Sequence, residues 1–161
     1  ADQIIINAST LIKGVISNDT VLNSFDSPYL IDGLVQIAYG VTLTINPGVE
    51  INEGRIEVFG ALSAKGNADE PIEFNNVSVS IGNNKITEPA MMDISFANFQ
   101  GGGLWSPSGN AAYGSLQLRD SILNNTNYIY LWYPTSSCFI ERNIFLNAGG
   151  ISVGTSDDEC P

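Results

Sequence analysis

The chain has 161 residues, of which 43% are hydrophobic, a size and apolar content that suit one domain with a real core. Six basic residues against seventeen acidic ones give a net charge of −11, which repels phosphate backbones and anionic lipid head groups and argues against nucleic acid as a partner. Histidine is absent, which excludes Ser-His and Cys-His nucleophile pairs, histidine general bases and imidazole metal sites.

No apolar run approaches the eighteen or so residues of a membrane-spanning helix, so no membrane insertion is expected. The start Ala1-Asp2-Gln3 has neither a basic nor an apolar leader pattern, as expected of a mature or excised soluble domain. Sixteen glycines and seven prolines among many Val, Ile and Leu favour short strands joined by tight turns over long helices.

In chain order, the apolar stretches at residues 4–6 and 11–16 come first and lie outside any repeat. They are expected to form an amino-terminal cap over residues 1–26. From Tyr29 onward, pairs of apolar residues two apart recur: Tyr29/Ile31, Val49/Ile51, Ile72/Phe74 and Ile94/Phe96, continued by Leu118 and Ile140. A second series runs Val35/Ile37, Ile56/Val58 and Val77/Val79. Residues two apart share one side of a strand, so each pair marks an inward face. Later, Leu118, Leu123, Ile129 and Leu131 return 22 residues on as Ile140, Phe145, Ile151 and Val153. A period of this length with alternation inside each strand predicts an all-β solenoid, a parallel β-helix of about six coils over residues 27–161.

The stretch Gly40-Val-Thr-Leu-Thr-Ile-Asn-Pro-Gly-Val-Glu-Ile51, then residues 54–66 and Pro71-Ile-Glu-Phe74, resembles the opening coils of bacterial and archaeal surface proteins with right-handed parallel β-helix repeats. Ser121-Ile-Leu-Asn-Asn125 and Phe139-Ile-Glu-Arg-Asn-Ile-Phe-Leu-Asn147 are similar to the coil signature of the pectate-lyase-like superfamily. This resemblance implies a right-handed coil and a secreted or cell-surface location, within a larger surface protein that carries further domains. That superfamily is rich in polysaccharide lyases, hydrolases and epimerases, so a polysaccharide-active enzyme is the alternative to a non-catalytic structural or carbohydrate-binding module.

Several constellations follow from the register. Cys138 and Cys160 are one coil apart, which brings their Cα atoms near the separation that a disulfide requires. A bridge implies an oxidising compartment, and two reduced buried thiols remain the alternative. Arg119 falls over Glu141 and Asp120 over Arg142, two opposite-sign pairs that read as exposed cross-strand partners rather than as acid/base machinery. Asn125 and Asn147 are expected to stack as an amide ladder.

In the stretch Asn127 to Tyr133 the core claims Ile129 and Leu131, so Tyr128, Tyr130 and Trp132 face outward. With Leu104 inward, Trp105 joins them, and the next coil offers Gly150, Ser152 and Gly154 as a shelf of small residues. An exposed row of rings suits stacking on the apolar faces of sugar rings, so Trp105, Tyr128, Tyr130 and Trp132 are the candidate glycan-binding residues. No other cofactor is indicated. The acidic run Asp157-Asp158-Glu159 suits calcium but lacks the spacing of a known loop, and reads better as a solvated tail. An ice-binding face is excluded, because Thr42-Leu-Thr44 is followed one coil later by Ser63 and Lys65 instead of a threonine ladder.

Overall fold

The structure is a computed structural model that describes residues 9–82, 87–104, 113–132, 134 and 138–154; at 132 and 154 it describes the backbone alone. Short extended segments follow one another through the chain. Strands β1 (Thr10–Ile16) and β2 (Thr20–Leu22) lead through a 3-10 turn at Ser24–Asp26 into β3 (Tyr29–Ile37) and β4 (Thr42–Ile45). The next coil is β5 (Glu50–Asn52), β6 (Arg55–Val58) and β7 (Ala61–Lys65), and the one after it β8 (Ile72–Asn75), β9 (Ser78–Ile81) and β10 (Ala90–Ser95). Then come β11 (Ala97–Gln100), β12 (Gly103–Leu104) and β13 (Gly114–Arg119), followed by β14 (Ile122–Asn124), β15 (Ile129–Trp132) and β16 (Phe139–Glu141). Strands β17 (Ile144–Leu146) and β18 (Ile151–Gly154) complete the described chain.

Every strand pairing among these is parallel and joins a segment to its equivalent one coil away, which makes the protein an all-β parallel solenoid of about six turns. Three faces result. The first stacks the start of β3 with β5, β8, β11, β14 and β17. The second stacks the end of β3 with β6, β9 and β12, then β15 with β18. The third is β2, β4, β7, β10, β13 and β16. Strand β1, in the segment expected to cap the solenoid, pairs in parallel with β3 as an outermost rung.

Alternation inside each strand sends one set of side chains into the core. On the first face Tyr29, Ile51, Phe74, Phe99, Leu123 and Phe145 form one inward column. Phe74 and Phe99 stack nearly coplanar, with centroids 4.6 Å apart and planes 6° apart. Burying each such ring stabilises the fold by about 1.5–3 kcal/mol, so this column is a main source of cohesion. On the third face Ile45, Ala64, Ile94, Leu118 and Ile140 form the matching column.

The expected step from Ile72 to Ile94 therefore joins two different faces. Ile72 pairs with Ala97, and Ile94 with Ala64 and Leu118. The stretch between β9 and β10 lengthens that coil, so a step of about 22 residues from Ile72 falls one strand short of its true partner. Phe96, expected inward beside Ile94, is instead a corner residue with φ +48° and is 36% exposed.

Corners of this kind are built from left-handed backbone. Glu53, Asn76, Gly101, Asn125 and Asn147 repeat at one corner, all with positive φ. The first four donate a backbone N–H to the following coil, as in Asn76 N to the Gln100 carbonyl at 2.8 Å. Asn visits this conformation with less strain than most residues, which accounts for three asparagines at the position. Phe96, Asp120 and Arg142 form the second such series, at the corner between the third and first faces.

At the corner itself Asn76 Nδ2 donates to Glu53 Oε1 at 3.3 Å, while the longer side-chain ladder runs through the residue before the corner. Asn75 Nδ2 donates to Asn52 Oδ1 at 2.9 Å, and Asn124 Nδ2 donates to Gln100 Oε1 at 2.9 Å. Glu50 Oε1 accepts from Asn52 and Asn75, which anchors the ladder on the outer surface of the first face.

Candidate functional site

The outer surface of the second face carries a groove of about 750 Å³. Its far end is built by β15, where Ile129 and Leu131 are 0% and 5% exposed and claim the core, as the alternation requires. Tyr128 and Tyr130 are thereby turned to the groove, and Tyr128 is 62% exposed. Register pairs Tyr130 with Ser152 of β18, and Ser152 also lines the groove.

Glycine at position 149, beneath Tyr128, is a structural requirement. A Cβ on Gly149 would lie 2.4 Å from the Tyr128 backbone nitrogen, closer than any carbon tolerates. A Cβ on Gly150 would touch the edge of the Tyr128 ring at 3.5 Å. The coil that carries β18 therefore packs directly under Tyr128 because position 149 is glycine, while position 150 leaves room for ordinary contact with the ring.

Toward the amino-terminal coils the groove is polar. Ser78 and Ser80 of β9 and Asn127 offer hydroxyls and an amide, and Arg55 of β6 closes the end. Gly103 lies between Ser78 and Asn127, and a Cβ there would press on the Asn127 side chain at 3.3 Å. No carboxylate is among the described residues that line the groove. Glu57, on the same side of β6 as Arg55, is bound from the opposite direction by Gln36 Nε2 at 2.6 Å.

Of the expected aromatic row, the structure thus brings Tyr128 and Tyr130 into one groove. Trp132 pairs with Gly154 in the backbone register, and nothing beyond its backbone is described. Trp105 lies outside the described residues, while Leu104 before it is buried as expected and pairs with Val79.

The third face carries the charges. Lys65 Nζ lies 2.6 Å from Asp93 Oδ2, and Arg119 reaches the other oxygen of Asp93 at 3.2 Å and Gln117 at 2.8 Å. Arg119 also lies over the Phe139 ring, 5.9 Å from its centroid. Backbone register places Arg119 beside Glu141 as expected, yet its side chain turns the other way, to Asp93. Glu141 pairs with Arg142 at 2.9 Å instead. Arg142 grips Asp120 with Nε and a terminal nitrogen at 2.7 and 2.8 Å, a bidentate fork. That hydrogen bond holds the Asp120 carboxyl below its ordinary value and the Arg142 guanidinium above its own. Each carboxylate in this strip is neutralised by a neighbouring cation, an arrangement suited to holding coils together.

Cys138 Sγ accepts a hydrogen bond from the Leu116 backbone at 3.3 Å, and Cys160 lies outside the described residues, as do Asp157, Asp158 and Glu159. Among the described residues no group of three acidic, Cys or His side chains converges on a point. No helix there is long and apolar enough to cross a membrane.

Sequence reading missed Arg55, Ser78, Ser80 and Asn127, which are up to 72 positions apart in the chain and meet only through coil stacking. A second aromatic contact was also missed. Tyr39 and Phe59 meet at 5.2 Å on successive coils, and Gly82 makes room for the Phe59 ring. A one-coil step of 20 residues between the two rings was the available signal.

Comparison with known protein families, with curated proteins and with solved structures finds no match to this chain.

Proposed function

We propose that this protein is a non-catalytic carbohydrate-recognising module of a secreted or cell-surface protein, and that a short stretch of glycan lies along the groove of the second face. The observation that supports it is the joint lining by two tyrosines and the hydroxyls of Ser78, Ser80 and Ser152. Sugars present apolar C–H faces and a rim of hydroxyls, so they need rings to stack on and short polar groups to bond. The groove extends along the solenoid axis and is open, as suits a chain rather than a single small molecule.

A glycan array tests this, with bound sugars re-measured by calorimetry. The native chain is expected to bind, and Tyr130→Ala to weaken binding while its melting temperature stays within a few degrees, since Tyr130 lies outside the core. Equal binding by the Tyr130→Ala chain would move the site elsewhere, and no binding to any glycan would defeat the reading.

A polysaccharide-active enzyme is the second reading, and Asp93 between Lys65 and Arg119 is the observation in its favour. It is weaker because both oxygens of Asp93 are engaged by cations, which disfavours a general base. Release of unsaturated products or reducing ends from polysaccharide, with and without calcium, would establish it.

A further inference from the structure

The charges of this molecule are distributed unevenly with respect to the groove. Lys65, Arg119 and Arg142 each hold a carboxylate on the third face. Arg55 makes no ion pair and no side-chain hydrogen bond, and among the described basic residues only Lys13, on the outermost rung, shares that condition. Arg55 is exposed, stands at the end of the groove, and has no carboxylate beside it in the lining.

In a chain of net charge −11, an arginine without an ion pair, in a groove whose described lining has no carboxylate, is a local positive charge, with Glu57 on the same side of β6 held by the neutral Gln36. Guanidinium is planar and presents paired N–H donors that match both oxygens of a carboxylate. Stacking fixes its distance from the rings. Arg55 pairs with Ser78, Ser78 with Gly103, and Asn127 N donates to the Gly102 carbonyl, so Tyr128 stands three coils further on. At the usual strand spacing that is about 14 Å along the axis, the reach of a short oligosaccharide.

We infer that the groove selects a largely neutral saccharide chain that carries an isolated uronic acid, with the carboxylate against Arg55 and neutral sugars on Tyr128 and Tyr130. This rests on the carbohydrate reading above. A dense polyuronate fits poorly, because one arginine compensates one carboxylate and the others would meet the negative field of the whole protein. The neutral segment needs only rings and hydroxyls, which is what the far end of the groove supplies.

The test is calorimetric titration with matched oligosaccharides on several backbones in three classes: neutral, neutral with one uronic acid, and polyuronate. The native chain should bind the singly acidic class about tenfold more tightly than the neutral class, as one charge-assisted contact predicts. That advantage should shrink with added salt. Arg55→Gln should abolish the advantage, so that neutral and singly acidic chains bind alike, and Arg55→Lys should keep part of it. Tyr130→Ala should weaken both classes together. Equal binding of neutral and singly acidic chains, or an advantage that survives in Arg55→Gln, overturns the inference while leaving the carbohydrate reading intact. Tightest binding of polyuronate overturns it too, and failure of all three classes removes both readings. Circular dichroism of each variant confirms that the solenoid is retained.

Discussion

Phe99 and Phe145 occupy the same position of the repeat two coils apart, yet Phe99 is 1% exposed and Phe145 37%. Phe99 has Phe74 stacked on one side and Leu123 on the other, whereas among the described residues Phe145 has Leu123 on one side alone. Ile151 and Val153 repeat the pattern, 46% and 64% exposed where Ile129 and Leu131 above them are buried. Identical inward chemistry thus stabilises according to how many coils enclose it, as expected of a solenoid whose stability is a sum of neighbour contacts. The rings Tyr128 and Tyr130 stand at the enclosed β15, and only Ser152 of the groove's described lining belongs to the less enclosed β18.

The sharpest way to break this comparison is a pair of truncations. Phe99→Ala should cost about 3–5 kcal/mol in urea unfolding, as full removal of an enclosed ring does. Phe145→Ala should cost less than half of that, and equal losses would show that the final coil is as enclosed as the middle.

Backbone positions offer a second contrast. A Cβ on Gly102 would lie 2.0 Å from the Val77 carbonyl oxygen, and the residue has φ +70°. Gly40 also has φ +70°, but nothing lies within 4 Å of its would-be Cβ. Gly40→Ala should therefore cost about 1–2 kcal/mol, the left-handed backbone penalty alone. Gly102→Ala should cost clearly more, because two coils must also separate. Thermal melts of the two variants check the order.

The smallest effect belongs to the ion pair at the solenoid's edge. Arg142 lowers the Asp120 carboxyl below 3.8, so the pair contributes above that pH and loses its contribution as pH falls through the lowered value. In Arg142→Gln the Asp120 resonance followed by NMR should titrate nearer the ordinary value. Stability at neutral pH should change little, since both groups meet solvent. An unchanged Asp120 titration would show that the fork does not form in solution.

How far the sequence carried can be judged on single residues. The split of Ile129 and Leu131 from Tyr128 and Tyr130 was legible, because alternation is a local property of one strand. The pairing of β15 with β18 was legible because both coils have the same length. The step from Ile72 to Ile94 misled because apolar pairs recur on every face, and a period alone does not say which face a pair belongs to. Asn125 and Asn147 misled differently: turn asparagines were recognised, but the amide ladder runs through Asn52, Asn75 and Asn124, one residue before the corner.

By itself, then, the sequence determined the solenoid, its parallel strands and the inward or outward sense of most side chains, since these follow from a two-residue alternation and a coil-length period. Only the tertiary structure decided which inward column each residue joins, where Arg119 turns, and that Arg55 shares a groove with Tyr128 and Tyr130. The physical reason is that inter-coil register depends on the accumulated length of every corner and loop. A few residues gained between β9 and β10 move all later positions around the axis, and no local pattern records that shift.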